Sequence, residues 1–254
     1  TSRVNNDIEN LVAQKATEIS GFFEAKGQVI HSVFANPQVL DWFHSYNDRG
    51  GNISSDASYQ DIQRYFRFFS DKDNSIKSVF FGSANTFEYF DLNGRYDGDP
   101  NYYTNKRPWW AEAKSKGRMY VSDPAVDAND GSISATIKSV TEHKGRFIGV
   151  GGMDILISTI GKDLLSGIKY EGAGNAFLVT DKGVLVYFPG FSDKFPPGSD
   201  ISKVDSIFAD TQGFTQLKKL MSSKSKGAST VEWQGKNYQV MYDSVSGEYP
   251  YLNW

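Results

Sequence analysis

The sequence predicts an α+β protein in which two stacked modules share one long N-terminal helix, and three observations predict it. Residues 3–36 carry a single helical period. From residue 76 the apolar pattern switches to the alternation of strands. A second run of strands and helices, in similar order, begins near Gly172. A chain of 254 residues accommodates one large domain or two small ones.

The helix is justified by Val4, Ile8, Leu11, Val12, Ala16, Ile19, Phe22, Phe23, Val29, Ile30 and Val33, which recur at three- and four-residue steps. Asn36-Pro37 ends it, because the residue before proline is pushed out of the helical region. At ~1.5 Å per residue it spans ~50 Å. That length suits a stalk reaching past one module to another, and equally an ordinary long core helix. A second helix follows from Pro37 to Ser45, then a polar turn region from Asn47 to Ser58. A third helix, from Tyr59 to Ser70, sets Ile62, Tyr65, Phe66 and Phe69 on one face.

Ile76–Gly82 and Phe87–Phe90 read as strands, the latter followed by the turn Asp91–Gly94. Pro108 opens a short helix to Lys116, at a position where its missing N–H costs nothing. Met119–Val121, Ser132–Thr141 and Gly145–Ile155 read as antiparallel strands turning at Asp130-Gly131 and Lys144-Gly145, before a helix from Leu156 to Leu165. In the second module Asn175–Thr180 and Val184–Phe188 form a hairpin. Ile201–Phe208 and Gly213–Lys224 read as helices. Gly227–Gln234, Lys236–Ser244 and Tyr249–Trp254 read as three closing strands, with a turn at Gln234-Gly235.

Composition narrows the function. The net charge is −3 with no basic stripe, so no nucleic-acid partner is expected. The absence of cysteine excludes disulfide frameworks, cysteine zinc sites and cysteine nucleophiles. The three histidines, His31, His44 and His143, lack metal-ligand spacing. Asp91–Gly94 and Asp127–Gly131 offer oxygen ligands without the spacing of a calcium loop and read as turns, so neither metal nor cofactor is expected. No P-loop, nucleophile elbow or dinucleotide fingerprint occurs. No apolar run approaches the ~18 residues of a membrane span, and no signal peptide is present. Both ends read as cut from a longer chain.

The densest chemistry is Asn101-Tyr102-Tyr103-Thr104-Asn105-Lys106-Arg107-Pro108-Trp109-Trp110. A guanidinium forks two donors onto a carboxylate, an indole N–H only donates, and aromatic walls strengthen both by lowering the local dielectric. The same residues could instead form a hydrophobic cluster with a surface arginine. Asp154 closes the apolar phrase Gly149-Val150-Gly151-Gly152-Met153-Asp154. There it either meets a cationic ligand group or caps a helix starting at Ile155.

The run Tyr102…Arg107-Pro108-Trp109-Trp110, then Ser122-Asp123-Pro124-Ala125-Val126-Asp127, the Gly131 turn and Gly149–Asp154 resembles the double CACHE family, the periplasmic sensor regions of chemotaxis receptors, histidine kinases and diguanylate cyclases. The likeness is clearest over residues 76–156. It implies a long stalk helix (1–36) packed along a membrane-distal PAS-like ligand-binding module (37–170) and a membrane-proximal PAS-like module (171–254), with antiparallel sheets. In amino-acid-binding members the arginine and first tryptophan hold the ligand carboxylate, matched by Arg107 and Trp109. Tyr102 matches a pocket tyrosine, Asp154 the aspartate that takes the ligand ammonium, and Asp127 a further acidic position. With Tyr89 and Trp110 these make the expected ligand-binding set. Trp110 replaces the usual tyrosine, Ala125 replaces a tyrosine, and Asn85-Thr86 replaces an Asp-Gly phrase. These departures leave a short amine-free organic acid as an alternative to an α-amino acid.

The resemblance implies a non-enzymatic chemotaxis sensor in the periplasmic part of an inner-membrane protein. It implies a small-molecule ligand, a homodimeric full-length receptor and membrane attachment through flanking helices. A histidine kinase or cyclase sensor is the alternative, and a hydrolase using paired carboxylates such as Asp127 and Asp154 is the reading of another class.

Overall fold

The structure, a computed structural model, describes residues 2–127, 130–189, 193–207, 212–233 and 235–254. The long period is realised as helix α1, Ser2–Val33, which buries Ala16, Ile19, Phe23, Gly27, Ile30 and Val33. Gly27 stands where Pro250 lies directly on the helix backbone. Asn36 caps α2 (Pro37–Ser45) by accepting from the N–H groups of Gln38 and Val39, and Asp56 caps α3 (Ala57–Lys72) in the same way.

The first module is built on one antiparallel sheet. Its strands are β1 (Ile76–Ser83), β2 (Tyr89–Asp91), β3 (Gly94–Arg95), β4 (Tyr120–Val121), β5 (Ala125–Val126), β6 (Ile133–His143) and β7 (Arg146–Leu156). Helix α4 (Pro108–Lys116) covers part of it and α5 (Ile157–Ile160) leaves it. The two longest strands, β6 and β7, lie side by side, with β1 on the other edge of β7. Val79, Phe81, Ile137, Met153 and Ile155 pack with Ile30, Val33, Phe43 and Phe66 in the main core, so α1 to α3 cover one face of this sheet. The glycines of β7 allow close approach: a Cβ at Gly151 would lie 2.5 Å from the Phe34 ring, and one at Gly152 would lie 2.5 Å from the Phe80 ring.

The second module contains β8 (Leu178–Val179), β9 (Leu185–Tyr187), a 3₁₀ segment Ile201–Ile207, α6 (Gly213–Ser223), β10 (Lys226–Trp233) and β11 (Lys236–Asp243). Its own core joins Leu185, Phe188, Phe195, Ile201, Val204, Phe214, Leu217 and Val231. The sequence groups these strands into one smaller sheet; the structure has two separate hairpins, β8–β9 and β10–β11. Gln234 of the expected turn at Gln234-Gly235, and the end of the expected helix at Phe208, lie outside the described residues. The last strands, β12 (Ser246–Glu248) and β13 (Tyr251–Asn253), pair with each other. They join the large sheet through Tyr251 opposite Tyr120 of β4, a parallel contact. By hydrogen bonding, residues 246–253 therefore extend the sheet of the first module, whereas the sequence placed them with the second. Three-residue strands leave no periodicity from which their partner could be read.

Candidate functional site

Side chains at i and i+2 of a strand share a face. The register pairs Ser78 with Asp154, Phe80 with Gly152 and Gly82 with Val150. It pairs Asp154 with Thr136 and Gly152 with Lys138, Gly82 with Tyr89 and Lys138 with Tyr120. Ser78, Phe80, Tyr89, Tyr120, Thr136, Lys138 and Asp154 thus stand on the face opposite the main core, an unusually polar set for the middle of a sheet.

Helix α4 and the segment before it roof this face. A Cβ at Gly82 would lie 2.8 Å from the Trp109 ring, so Trp109 sits on β1 because position 82 has no side chain. Trp109 meets Phe80 edge-on at 6.0 Å. Tyr102 meets Tyr89 edge-on at 6.3 Å, and the Arg107 guanidinium stands 5.3 Å from the centre of the Tyr102 ring. Arg107 is exposed and, among the described residues, has no ion pair. Arg49 holds the Tyr102 loop from below, donating to the carbonyls of Tyr102 at 2.7 Å and Thr86 at 2.8 Å. Asn85 serves the fold, since its amide donates to the carbonyls of Phe43, His44 and Tyr46 and closes the end of α2.

Asp154 lies within β7, two residues before the strand ends, and Leu156 occupies the helix-cap position. The capping alternative is therefore excluded. Its carboxylate accepts from the Thr136 hydroxyl at 2.7 Å. Burial raises its pKa, opposed by the Thr136 hydrogen bond and the charge of Lys138. The group is deep in the molecule yet keeps accessible surface, as expected of a residue lining a pocket. Burial likewise pushes up the phenols of Tyr89 and Tyr102; the Asp154 charge adds to the first, and Arg107 and the Trp109 indole oppose the second.

Two expected members stand differently. Asp127 accepts from Lys77 at 2.7 Å, and the same ammonium reaches Ser132 Oγ at 2.6 Å and Asp130 at 2.9 Å. A bulge between Ile76 and Ser78 frees Lys77 for this role. The carboxylate of Asp127 is thus engaged by a lysine at the edge of the site. Trp110 is 5 % exposed and packs with Ala113, Tyr120 and Val150 between α4 and the sheet, behind Trp109. The sequence reading missed Thr136, Lys138 and Lys77. Their signal is weak: Thr136 and Lys138 are single polar residues in β6, and Lys77 one in β1, with no motif around them. The turn Asp127–Gly131 lies partly outside the described residues. Among those described, no group of three or more His, Asp or Glu is placed to hold a metal, and no helix is long and apolar enough to cross a membrane. A cavity of about 460 Å³ lies in the second module, between α1, Phe188 and Trp233, away from these residues.

A long helix laid along an α+β module, with a polar sheet face roofed by an Arg-Pro-Trp helix start, defines the class of small-molecule sensor modules that the sequence resembles. The family model described as Cache domain (dCache_1) matches residues 1–254, and the chain belongs to that family. It is 26 % identical over 172 residues to the methyl-accepting chemotaxis protein PctB of Pseudomonas aeruginosa, covering 62 % of this chain and 27 % of PctB. The chain is also 26 % identical over 116 residues to the methyl-accepting chemotaxis protein PscA of Pseudomonas syringae pv. tomato, covering 46 % of this chain and 18 % of PscA. It therefore spans about a quarter or less of these relatives. The ligand-binding domain of P. aeruginosa PctC, solved with GABA, matches with a TM-score of 0.68 at 20 % identity, covering 100 % of this chain and 97 % of that one. The P. fluorescens CtaA domain with L-serine matches at 0.71 and 17 %, covering 100 % and 95 %. The extracellular domain of the putative histidine kinase mmHK1S-Z2 matches at 0.70 and 14 %, covering 95 % and 92 %. These likenesses show the fold.

Proposed function

We propose that this chain is the periplasmic ligand-sensing region of a transmembrane chemotaxis receptor, binding a small α-amino acid in the first module and catalysing nothing. The observation that carries the reading is the pairing of opposite charges on one sheet face: Arg107 exposed at the rim without an ion pair among the described residues, and Asp154 deep but accessible. A guanidinium with an indole beside it suits a carboxylate, and an acceptor-only aspartate suits an ammonium. Chemotaxis relatives and amino-acid-bound neighbours support the same reading. The likeness to a putative histidine kinase domain keeps that output as the alternative. Residues 37–170 would be the membrane-distal module, 171–254 the membrane-proximal one, except that 246–253 complete the distal sheet, and 1–36 the stalk, with the full receptor a homodimer anchored by helices outside this chain. Tyr89, Tyr102, Arg107, Trp109, Trp110, Asp127 and Asp154 are the proposed ligand-binding set, in which Trp110 supports Trp109 and Lys77 ties Asp127.

The test is a thermal-shift screen against the twenty amino acids, amines and short acids, because a ligand that binds only the folded chain raises its melting temperature. Arg107→Ala is expected to weaken binding at least about tenfold, from the roughly 1.5–3 kcal/mol carried by a hydrogen bond to a charged group. Its unliganded melting temperature should stay unchanged, since Arg107 is exposed. Full affinity in the folded variant would remove Arg107 from the site.

A further inference from the structure

Among the described residues the strands of this face carry two lysines, Lys77 and Lys138, and the sensor reading leaves Lys138 unexplained. It lies in the middle of β6, opposite Gly152 on one side and Tyr120 on the other. It is 7 % exposed. Among the described residues no hydrogen bond or ion pair reaches its ammonium; the Tyr120 ring stands 5.6 Å away. Burial lowers its pKa, while the charges of Glu112 and Asp154 oppose that without forming a bond. Glu112 is exposed on α4. The ammonium is not among the fully enclosed unpaired atoms; with the residue largely buried, its three donors lose part of their water and gain no protein acceptor in exchange.

The other charges of this face are already engaged. Lys77 is occupied by Asp127, Asp130 and Ser132. Asp91, at the end of β2, accepts from the Asn93 N–H and belongs with the Lys77–Asp127 cluster, both of whose charges act on it. Among the described residues this leaves two cations without an ion pair, Arg107 and Lys138, and one deep carboxylate, Asp154, hydrogen-bonded by Thr136. The electrostatic complement of two cations and one anion is a molecule with two anions and one cation.

We propose that Lys138 receives a second acidic group of the ligand, so that the site selects an acidic amino acid over its neutral amide. This deepens the sensor reading and rests on it. The α-carboxylate lies at Arg107 and Trp109, the ammonium at Asp154, and the side-chain carboxylate on Lys138. Discrimination arises because an amide in the same place leaves the buried ammonium with a weaker, neutral acceptor.

The experiment is calorimetric titration of the chain with L-aspartate, L-asparagine, L-glutamate and L-glutamine, repeated on Lys138→Met, whose side chain is of similar length and apolar. The expected result is that one acidic amino acid binds at least about tenfold more tightly than its amide, the range expected for one hydrogen bond to a charged group. In Lys138→Met that ratio should fall to within about threefold with amide affinity retained. The variant's melting temperature, measured alongside, should not fall, since an unpaired buried charge has been removed. If the amide binds as tightly as the acid in the unaltered chain, or the preference survives in Lys138→Met, Lys138 is not an anion subsite and the sensor reading stands. If neither these four compounds nor any in the wider screen binds, the sensor reading fails and this proposal falls with it.

Discussion

At the scale of single residues, the proposed site sets largely buried charges beneath an exposed Arg107, and Asp154 shows what burial implies. An aspartate within a strand of a sheet is destabilising when buried unless something compensates its charge. Here one hydroxyl does so in part, and burial keeps the carboxyl pKa raised. A carboxyl whose folded pKa lies above its unfolded value adds stability at low pH, and that contribution is lost as pH rises through the folded value. At neutral pH the unliganded chain therefore carries a penalty, which the ligand ammonium of the proposed reading would relieve. Asp154→Asn is expected to raise the unliganded melting temperature at pH 7 by a few degrees, from roughly 1 kcal/mol, and to abolish binding of α-amino acids. In the unaltered chain the ligand-induced shift should shrink as pH falls through the raised pKa. A variant that melts lower and still binds would show that Asp154 stabilises the fold and leaves the ligand alone. The sequence singles out Arg107, Trp109 and Asp154 as candidates because a guanidinium among aromatics, or an acid after an apolar run, stands out locally. Lys138 and Thr136 do not stand out: which face of β6 is roofed depends on how α4 packs, which the strand's own residues do not reveal.

At the scale of elements, the site depends on how closely α4 approaches β1. That distance is set by a missing side chain at Gly82, against which the Trp109 ring lies. Gly82→Ala would push its methyl to 2.8 Å from that ring, so Trp109 must move. Such overpacking costs about 1–3 kcal/mol. The expected outcome is a folded chain, several degrees less stable, whose ligand affinity drops more than its stability, since the displaced indole is a proposed ligand donor. Calorimetry on the folded variant checks this; unchanged affinity would show that Trp109 does not touch the ligand. Longer elements were legible because their periods are long: α1, α2 and α4 match the sequence reading to within a few residues, as do β6 and β7. The misses are short. β5, with two residues, and β12, with three, give no alternation to detect, and Phe87, expected in a strand, instead takes a left-handed backbone (φ 57°) just before β2.

At the scale of the whole molecule, the proposed function requires a ligand on one sheet face to act on the long helix on the other. The last nine residues connect the two. Tyr251 pairs with Tyr120, the neighbour of Lys138 across β4 and β6. Trp254 stacks edge-on against Phe23 of α1 at 5.3 Å, Tyr249 bonds His31 at 2.9 Å, and Ser20 of α1 donates to the Ser246 carbonyl at 2.5 Å. A shift of Tyr120 is thus felt by a strand fastened to α1, while α1 also touches β6, β7 and β11 directly. Spatial continuity alone does not establish coupling; both sites must bias the same element. The prediction is that a saturating ligand slows amide hydrogen exchange in residues 246–254 as well as in β6 and β7, since that segment shares hydrogen bonds with the ligand-bearing sheet and exchange reports local opening. Tyr251→Ala should keep ligand affinity within about threefold, being outside the set that touches ligand, and abolish the slowing in 246–254. If the ligand protects β6 and β7 while the C-terminal strands exchange as before, the signal leaves through the direct α1–β6 and α1–β7 contacts, and the C-terminal strand pair is only a fastening.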